Sequence, residues 1–399
     1  MIYFTMYSIL LVIIYIAFIS LGLPDSLLGS AWPVMSEDFS ASLSSAGIIS
    51  MIISAGTIIS SLFSDKLTQK LGTGLVTAVS VCLTAMALLG FSLSNSFIIL
   101  CILAVPYGLG AGAVDAALNN YVALHYASRH MSWLHCFWGV GATIGPYIMG
   151  WAIGANHGWH TGYRIVSVIQ IALTLLLFLT LSIWKKSKSE NIDHEDYTAT
   201  VGLRDAVNIC GVKEILLAFF CYCSFESVSG LWASSYLVEY KNVAPKTAAF
   251  FASMFYIGIT AGRFISGFVC NQIGDKNMIR IGIAIMGSGI SLIALPVNNV
   301  VFALTGLVVI GIGAAPIYPS IIHSTPDHFG KENSHAIVGI QMASAYCGST
   351  LMPPVFGIVA QYIHIALYPM FMAVLAFILF AMTERVNKKC KDKTHFINS

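Results

Sequence analysis

Twelve stretches of about twenty predominantly apolar residues run through this 399-residue chain, and no other feature limits its fold so tightly. A helix needs about 20 such residues to cross the hydrocarbon of a bilayer. The runs lie near 7–33, 45–64, 74–94, 97–124, 131–154, 163–184, 213–238, 247–271, 279–297, 300–323, 335–361 and 365–383. Charged residues make up 10% of the chain, against about 25% in soluble domains. A backbone in lipid must satisfy its own N–H and C=O groups, so runs of this kind form helices. The expectation is an all-α membrane protein with twelve transmembrane helices. The segment Met1–Tyr7 lacks a basic start, and no small-residue site closes a short apolar core. The first run therefore reads as a span and not as a cleavable signal.

Lysine and arginine placement sets the expected topology. With both termini in the cytoplasm, the inner segments hold sixteen of the 20 basic residues, among them Lys66, Lys70, Arg129, Lys276, Arg280 and the group from Arg385 to Lys393. The outer segments hold Arg164, Lys241 and Lys246. The remaining one, Arg263, lies near the inner end of the eighth run. One long polar segment, beginning "KKSKSENIDHEDYTAT" at Lys185, separates the sixth run from the seventh. The division is 1–184, a cytoplasmic linker over 185–212, and 213–399 with a short cytoplasmic tail.

The formal net charge of +2 names no partner, and no basic cluster with interleaved aromatics points to nucleic acid. The nine cysteines fall mostly inside apolar runs and form no C-x-x-C, so small buried hydrophobes are expected and no metal site. There is no H-E-x-x-H and no G-x-S-x-G, so no catalytic residue is assigned and an enzyme is not expected.

The two sets of six spans repeat each other. "DSLLGSAW" (Asp25–Trp32) matches "ESVSGLW" (Glu226–Trp232) at an offset of 201. "SSLFSDKLTQKLG" (Ser60–Gly72) lies opposite "GRFISGFVCNQIG" (Gly262–Gly274). "GLGAG" (Gly108–Gly112) matches "GIGAA" (Gly311–Ala315), and "GATIGP" (Gly141–Pro146) matches "GSTLMP" (Gly348–Pro353). Four matches in order, at nearly one offset, indicate two pseudo-symmetric six-helix halves, the parallel-repeat architecture of the major facilitator fold. "SDKLTQKLG" resembles a degraded form of that superfamily's loop motif between helices two and three, keeping its acid, Asp65. Within the superfamily the chain most resembles the fucose permease group of sugar–proton symporters. The residues that carry this are "GLPDSLLG", "GLGAGAVDAALNNYV", "LHCFWGVGATIGP" and "CSFESVSGLWASSY". The resemblance implies a carrier, and it implies a cytoplasmic gate at Asp65 and Arg263.

Ionisable residues inside spans are costly and mark function by default. Asp25, Asp115 and Glu226 qualify, with no lysine or arginine expected at their depth. A desolvated carboxylate without a counter-charge can bind and release a proton near neutral pH as its access to water changes. These three are the expected proton-coupling residues. Asp115 and Asn119 share a helical face at i, i+4, and Asn120 is one step round. An acid and two amides on one stripe suit a hydroxylated, uncharged ligand, although amides also join membrane helices to one another. His135 and Trp138, at i, i+3 on the fifth span, are further ligand candidates, since an aromatic face can cover the apolar face of a sugar ring. Trp232, Tyr256, Tyr318, Gln341 and Tyr346 are the second-half candidates. Tyr318 lies between Pro316 and Pro319, where the tenth helix should break.

The expected function is secondary active transport of a small polar solute, a sugar, by alternating access and proton symport. The alternative is a proton-coupled drug or metabolite exporter on the same fold. No cofactor is expected beyond the proton as coupling ion, with sodium its alternative. A monomer in the plasma membrane is expected, the inner membrane if the source is bacterial.

Overall fold

A computed structural model describes residues 2–25, 27–41, 45–155, 157–184, 202–243, 245–296 and 299–397. Most of the expected linker, 185–201, lies outside them. In chain order the helices are α1 (Ile2–Gly22), α2 (Leu27–Asp38), α3 (Ala46–Leu71), α4 (Thr73–Leu93), α5 (Phe97–His125), α6 (Ser128–Gly154) and α7 (Gly158–Leu179). There follow α8 (Leu203–Asn208), α9 (Val212–Glu239), α10 (Pro245–Ile273), α11 (Asp275–Ala294), α12 (Val300–Ala314), α13 (Ile317–His323), α14 (Thr325–Phe329), α15 (Lys331–Val359) and α16 (Tyr368–Ile397). Each of the twelve apolar runs falls on a helix or on a broken pair of helices. Among the described residues, nine helical stretches are long and apolar enough to cross a membrane, the last joining α15 and α16. The long helices α6 and α10 are not among these nine.

By contact the chain gathers into two compact units. One comprises Met1–Tyr121 and Phe137–Thr200. The other comprises Val201–Ser399 together with Val122–Cys136, a segment that the six-plus-six reading assigns to the first half.

In the first unit, proline and glycine decide where the first span bends. α1 stops at Gly22, and Pro24, which has no N–H to donate, interrupts the ladder. Asp25 N–H turns back to the Gly22 carbonyl at 3.2 Å, and α2 starts two residues on. Asp25 therefore sits on an elbow and not on a continuous helix. The core under it packs Leu23, Leu27, Trp32, Phe91, Trp159 and Tyr163. Gln170 on α7 accepts from the Thr84 hydroxyl of α4 at 2.8 Å and donates to the Ser20 carbonyl of α1 at 2.7 Å. One buried amide thus ties three helices.

α1 and α6 touch backbone to backbone. A Cβ on Gly141 would lie 2.0 Å from the Ile19 carbonyl oxygen, and one on Gly22 would lie 2.1 Å from that of Trp138. Gly141→Leu is expected to force the helices apart and to cost at least about 1–3 kcal/mol by overpacking. Gly150, where a Cβ would meet nothing within 4 Å, is the control on the same helix. Thermal unfolding in detergent should show a lowered midpoint for Gly141→Leu and none for Gly150→Leu; equal midpoints would refute the close approach.

In the second unit α9 packs against α15 and α16, and α11 against α12. The tenth span breaks at Ala315–Pro316, which puts Tyr318 on the short α13. The sequence repeat has a geometric counterpart. Gly72 closes α3 with φ 82°, and Gly274 closes α10 with φ 80°. Each donates its N–H four residues back, to Thr68 at 2.8 Å and to Cys270 at 2.7 Å. That positive φ favours glycine, and both halves spend one at the same turn.

Candidate functional site

Each unit gathers its own cluster of polar residues. In the first, the Trp138 indole donates to the Asp25 carboxylate at 2.8 Å. The close contact of α1 with α6 makes this possible, because it brings the α6 backbone onto Gly22, one turn before the elbow. Asp25 is exposed and Trp138 half-buried. On α5, Asn119 donates to the Asp115 side chain at 2.8 Å and to its carbonyl at 3.0 Å. Asp115, Asn119 and Asn120 are all buried. Asp25 feels the charge of Asp115, and Tyr107 feels that of Asp25, so the two acids and this phenol share one electrostatic neighbourhood. Gly112, one turn before Asp115, lets α5 approach Thr57 of α3 closely enough that a Cβ would stand 2.2 Å from its carbonyl oxygen.

In the second unit the cluster is built on an arginine. Arg263 lies on α10, ten residues before Ile273, or about 15 Å of helix from its end. It is 2% exposed. Its Nη2 lies 3.4 Å from Glu226 Oε2 and 3.4 Å from the Tyr222 hydroxyl. Its guanidinium sits 5.9 Å above the Tyr318 ring. Tyr318 in turn packs edge-on to His135 at 4.4 Å and against Phe219 at 4.6 Å.

Two sequence-level expectations are corrected here. Arg263 is not at the end of its helix, where the gate assignment with Asp65 places it. At the repeat offset it matches Ser61, a full turn deeper than Asp65, and it serves as the counter-ion of Glu226. Glu226 is consequently not an unpaired acid, and the premise that made it a proton carrier fails for it. Asp65 is buried six residues from the end of α3 and accepts from Gln69 at 2.9 Å.

His135 and Trp138, neighbours on one helical face, go to different clusters, His135 with Tyr318 and Trp138 with Asp25. Trp232 is held structurally: its indole donates to the Pro353 carbonyl at 2.9 Å, packs on Phe356, and fills the space over Gly357. Tyr256 is exposed, with its hydroxyl against Gly230 and within reach of the Glu226 charge. Gln341 is fully buried and accepts from Thr325 at 3.1 Å. Tyr346 stands half-buried further along α15. The residues missed at the sequence level are Tyr107 and Tyr222; a tyrosine in an apolar run carries no signal of its own. Among the described residues no group of His, Cys, Asp and Glu could hold a metal ion.

The sequence profile of the Major Facilitator Superfamily matches residues 14–208 and 215–393. The chain belongs to the major facilitator superfamily. Its fold is that of the E. coli fucose:proton symporter FucP, with a TM-score of 0.78 at 16% identity, covering 95% of this chain and 98% of that one. Among curated relatives, the Saccharomyces cerevisiae "bypass of stop codon protein 6" is 22% identical over 388 residues, 89% of this chain and 78% of the relative. The Bacillus subtilis glucose/mannose transporter GlcP is 22% identical over 314 residues, 76% of this chain and 77% of the relative. This major facilitator chain is thus a multi-pass membrane carrier, not an enzyme, and it resembles the fucose permease group.

Proposed function

We propose that this carrier moves a sugar by proton symport, through alternating access of its two halves to the two sides of the membrane. The observation that carries the reading is the Asp25 carboxylate, which accepts from the Trp138 indole on a broken span and shares its surroundings with Asp115. A carboxylate at such a position in a span marks function by default. Asp25 and Asp115 together hold the coupling proton, and each interacts with the charge of the other. Trp138, Asn119 and Asn120 supply an aromatic face and amides for a hydroxylated ring. The second unit keeps its own cluster, in which Arg263 faces Glu226 and Tyr222 and lies over the Tyr318 ring. The likeness to FucP, a fucose:proton symporter, and to GlcP, a glucose/mannose transporter, supports a sugar as the solute class. The basic-residue bias supports cytoplasmic termini.

Export of an apolar compound on the same fold is the rival, and the amides and paired charges disfavour it. Purified protein should be stabilised against heat by fucose, glucose or mannose, more strongly at about pH 6 than at about pH 8 because solute and proton bind together. Stabilisation by apolar drugs and by none of the sugars would overturn the reading.

A further inference from the structure

The turn between α5 and α6 is fastened to the ends of α10, α11 and α13 by a set of hydrogen bonds that the transport reading does not use. His323 closes α13. Its Nε2 lies 3.0 Å from the Tyr126 carbonyl oxygen, and its Nδ1 lies 2.6 Å from Asp275 Oδ2. The other Asp275 oxygen accepts from the Ser128 hydroxyl at 2.5 Å. Next along the turn, the Arg129 N–H donates to Asn271 at 3.3 Å. One helical turn on, the Trp133 indole donates to the Phe264 carbonyl at 3.3 Å and lies against Gly267, where a Cβ would stand 2.1 Å from its nitrogen.

The chemistry of His323 follows from its partners. A backbone carbonyl can only accept, so Nε2 carries a hydrogen. A neutral imidazole has a single N–H, and the Nδ1 side faces a carboxylate that also only accepts. The arrangement is complete when the Asp275–His323 pair holds one further proton, on Nδ1 or on Oδ2; the count is the same. Around the pair stand Asp327 of α14, whose charge His323 feels, Lys276 beside Asp275, the neighbouring His328, Arg129 and His130 in the turn, and Cys270 of α10. Cys270 is fully buried beside Ser128 and Asp275.

We propose that the Asp275–His323 pair is a proton-binding site that works a clasp, holding the α5–α6 turn to α10, α11 and α13 while it carries its proton and letting the turn go when it loses it. The direction follows from linkage. If only the clasped form needs the extra proton, clasping is favoured at low pH and lost as pH rises. The clasped segment, Val122–Cys136, supplies the adjoining ends of α5 and α6, whose remaining residues belong to the other unit. Holding or freeing it therefore acts on two helices of the carrier at once. By the basic-residue bias this is the cytoplasmic side, where loss of the proton would report a rise in internal pH. The proposal rests on this geometry and is independent of which solute is carried.

Alkylation of Cys270 by a maleimide reads the clasp directly. The full chain in detergent, without solute, is labelled at about pH 6 and about pH 8.5, on either side of the ordinary histidine range. Peptide mass spectrometry gives the rate at Cys270 relative to the exposed Cys210, which corrects for reagent and exposure time, while His323→Ala supplies the pH dependence of the same thiol without the clasp. The ratio should rise about tenfold or more between the two pH values in the wild type. In His323→Ala it should be high at both. In Ser128→Ala, which keeps the titrating pair, it should be raised while still increasing with pH. A ratio that is flat with pH in the wild type, or that rises as steeply in His323→Ala, overturns the proposal.

Discussion

Arg263→Met is expected to lower the stability of the protein by about 3–5 kcal/mol, the cost of leaving one member of a buried ion pair without its partner. Glu226 is then enclosed by Tyr222 and Tyr256 with no cation beside it. The side chains of Arg263 and Glu226 are 3% and 17% exposed, so solvent screens the pair little. The double variant Arg263→Met, Glu226→Gln removes both charges and should recover most of the loss, because two well-packed uncharged side chains at such a site are close to neutral in cost. Thermal or denaturant unfolding of the four proteins of this cycle checks the point. Additive losses, with the double variant worse than either single one, would show that the two residues do not act as a pair.

Asp25→Asn and Asp115→Asn are expected to uncouple transport from the proton without abolishing solute exchange. A gradient of about one pH unit is worth about 1.4 kcal/mol per proton, enough to concentrate a solute about tenfold at one-to-one coupling. Either substitution should bring that ratio down to about one. Counterflow of labelled against unlabelled sugar, which needs no net proton movement, should persist, because Asn keeps the size and the acceptor oxygen that Trp138 and Asn119 contact. Trp138→Phe serves as the complement. It keeps an aromatic face but removes the donor to Asp25, and should weaken sugar binding less than Trp138→Ala does. Accumulation in Asp25→Asn equal to that of the wild type would remove Asp25 from the coupling.

The helices were legible because lipid imposes one rule on the whole chain: twenty apolar residues, then a break. The repeat was legible for a local reason. Gly72 and Gly274 both need a positive φ, and both stand at the corresponding turn. Asp25 and Asp115 stood out because a carboxylate is expensive in a span. What could not be read was the third dimension. The spacing of His135 and Trp138 places them on one face of α6, yet that helix passes from one compact unit to the other between Cys136 and Phe137. Their rings consequently meet Tyr318 and Asp25 separately. Arg263 was misplaced because an arginine near the end of an apolar run reads as a residue at the interface. The run itself reaches 271, eight residues past Arg263, but nothing in it shows that Glu226 sits across from the arginine. Tyr107 and Tyr222 left no trace because their side chains are compatible with an apolar run. Asp275 and His323 lay at span ends, where charged and polar groups are ordinary, and only their partners distinguish them.

The central claim is that solute movement is driven by protons bound at Asp25 and Asp115. Its most direct test is uptake of labelled fucose, glucose and mannose into proteoliposomes holding the wild-type protein, with and without an inward proton gradient of about one pH unit. At least one of these sugars should accumulate about tenfold with the gradient and only equilibrate without it. Uptake of every sugar at the same level in both conditions, or an inward sodium gradient replacing the proton gradient in full, would contradict the account.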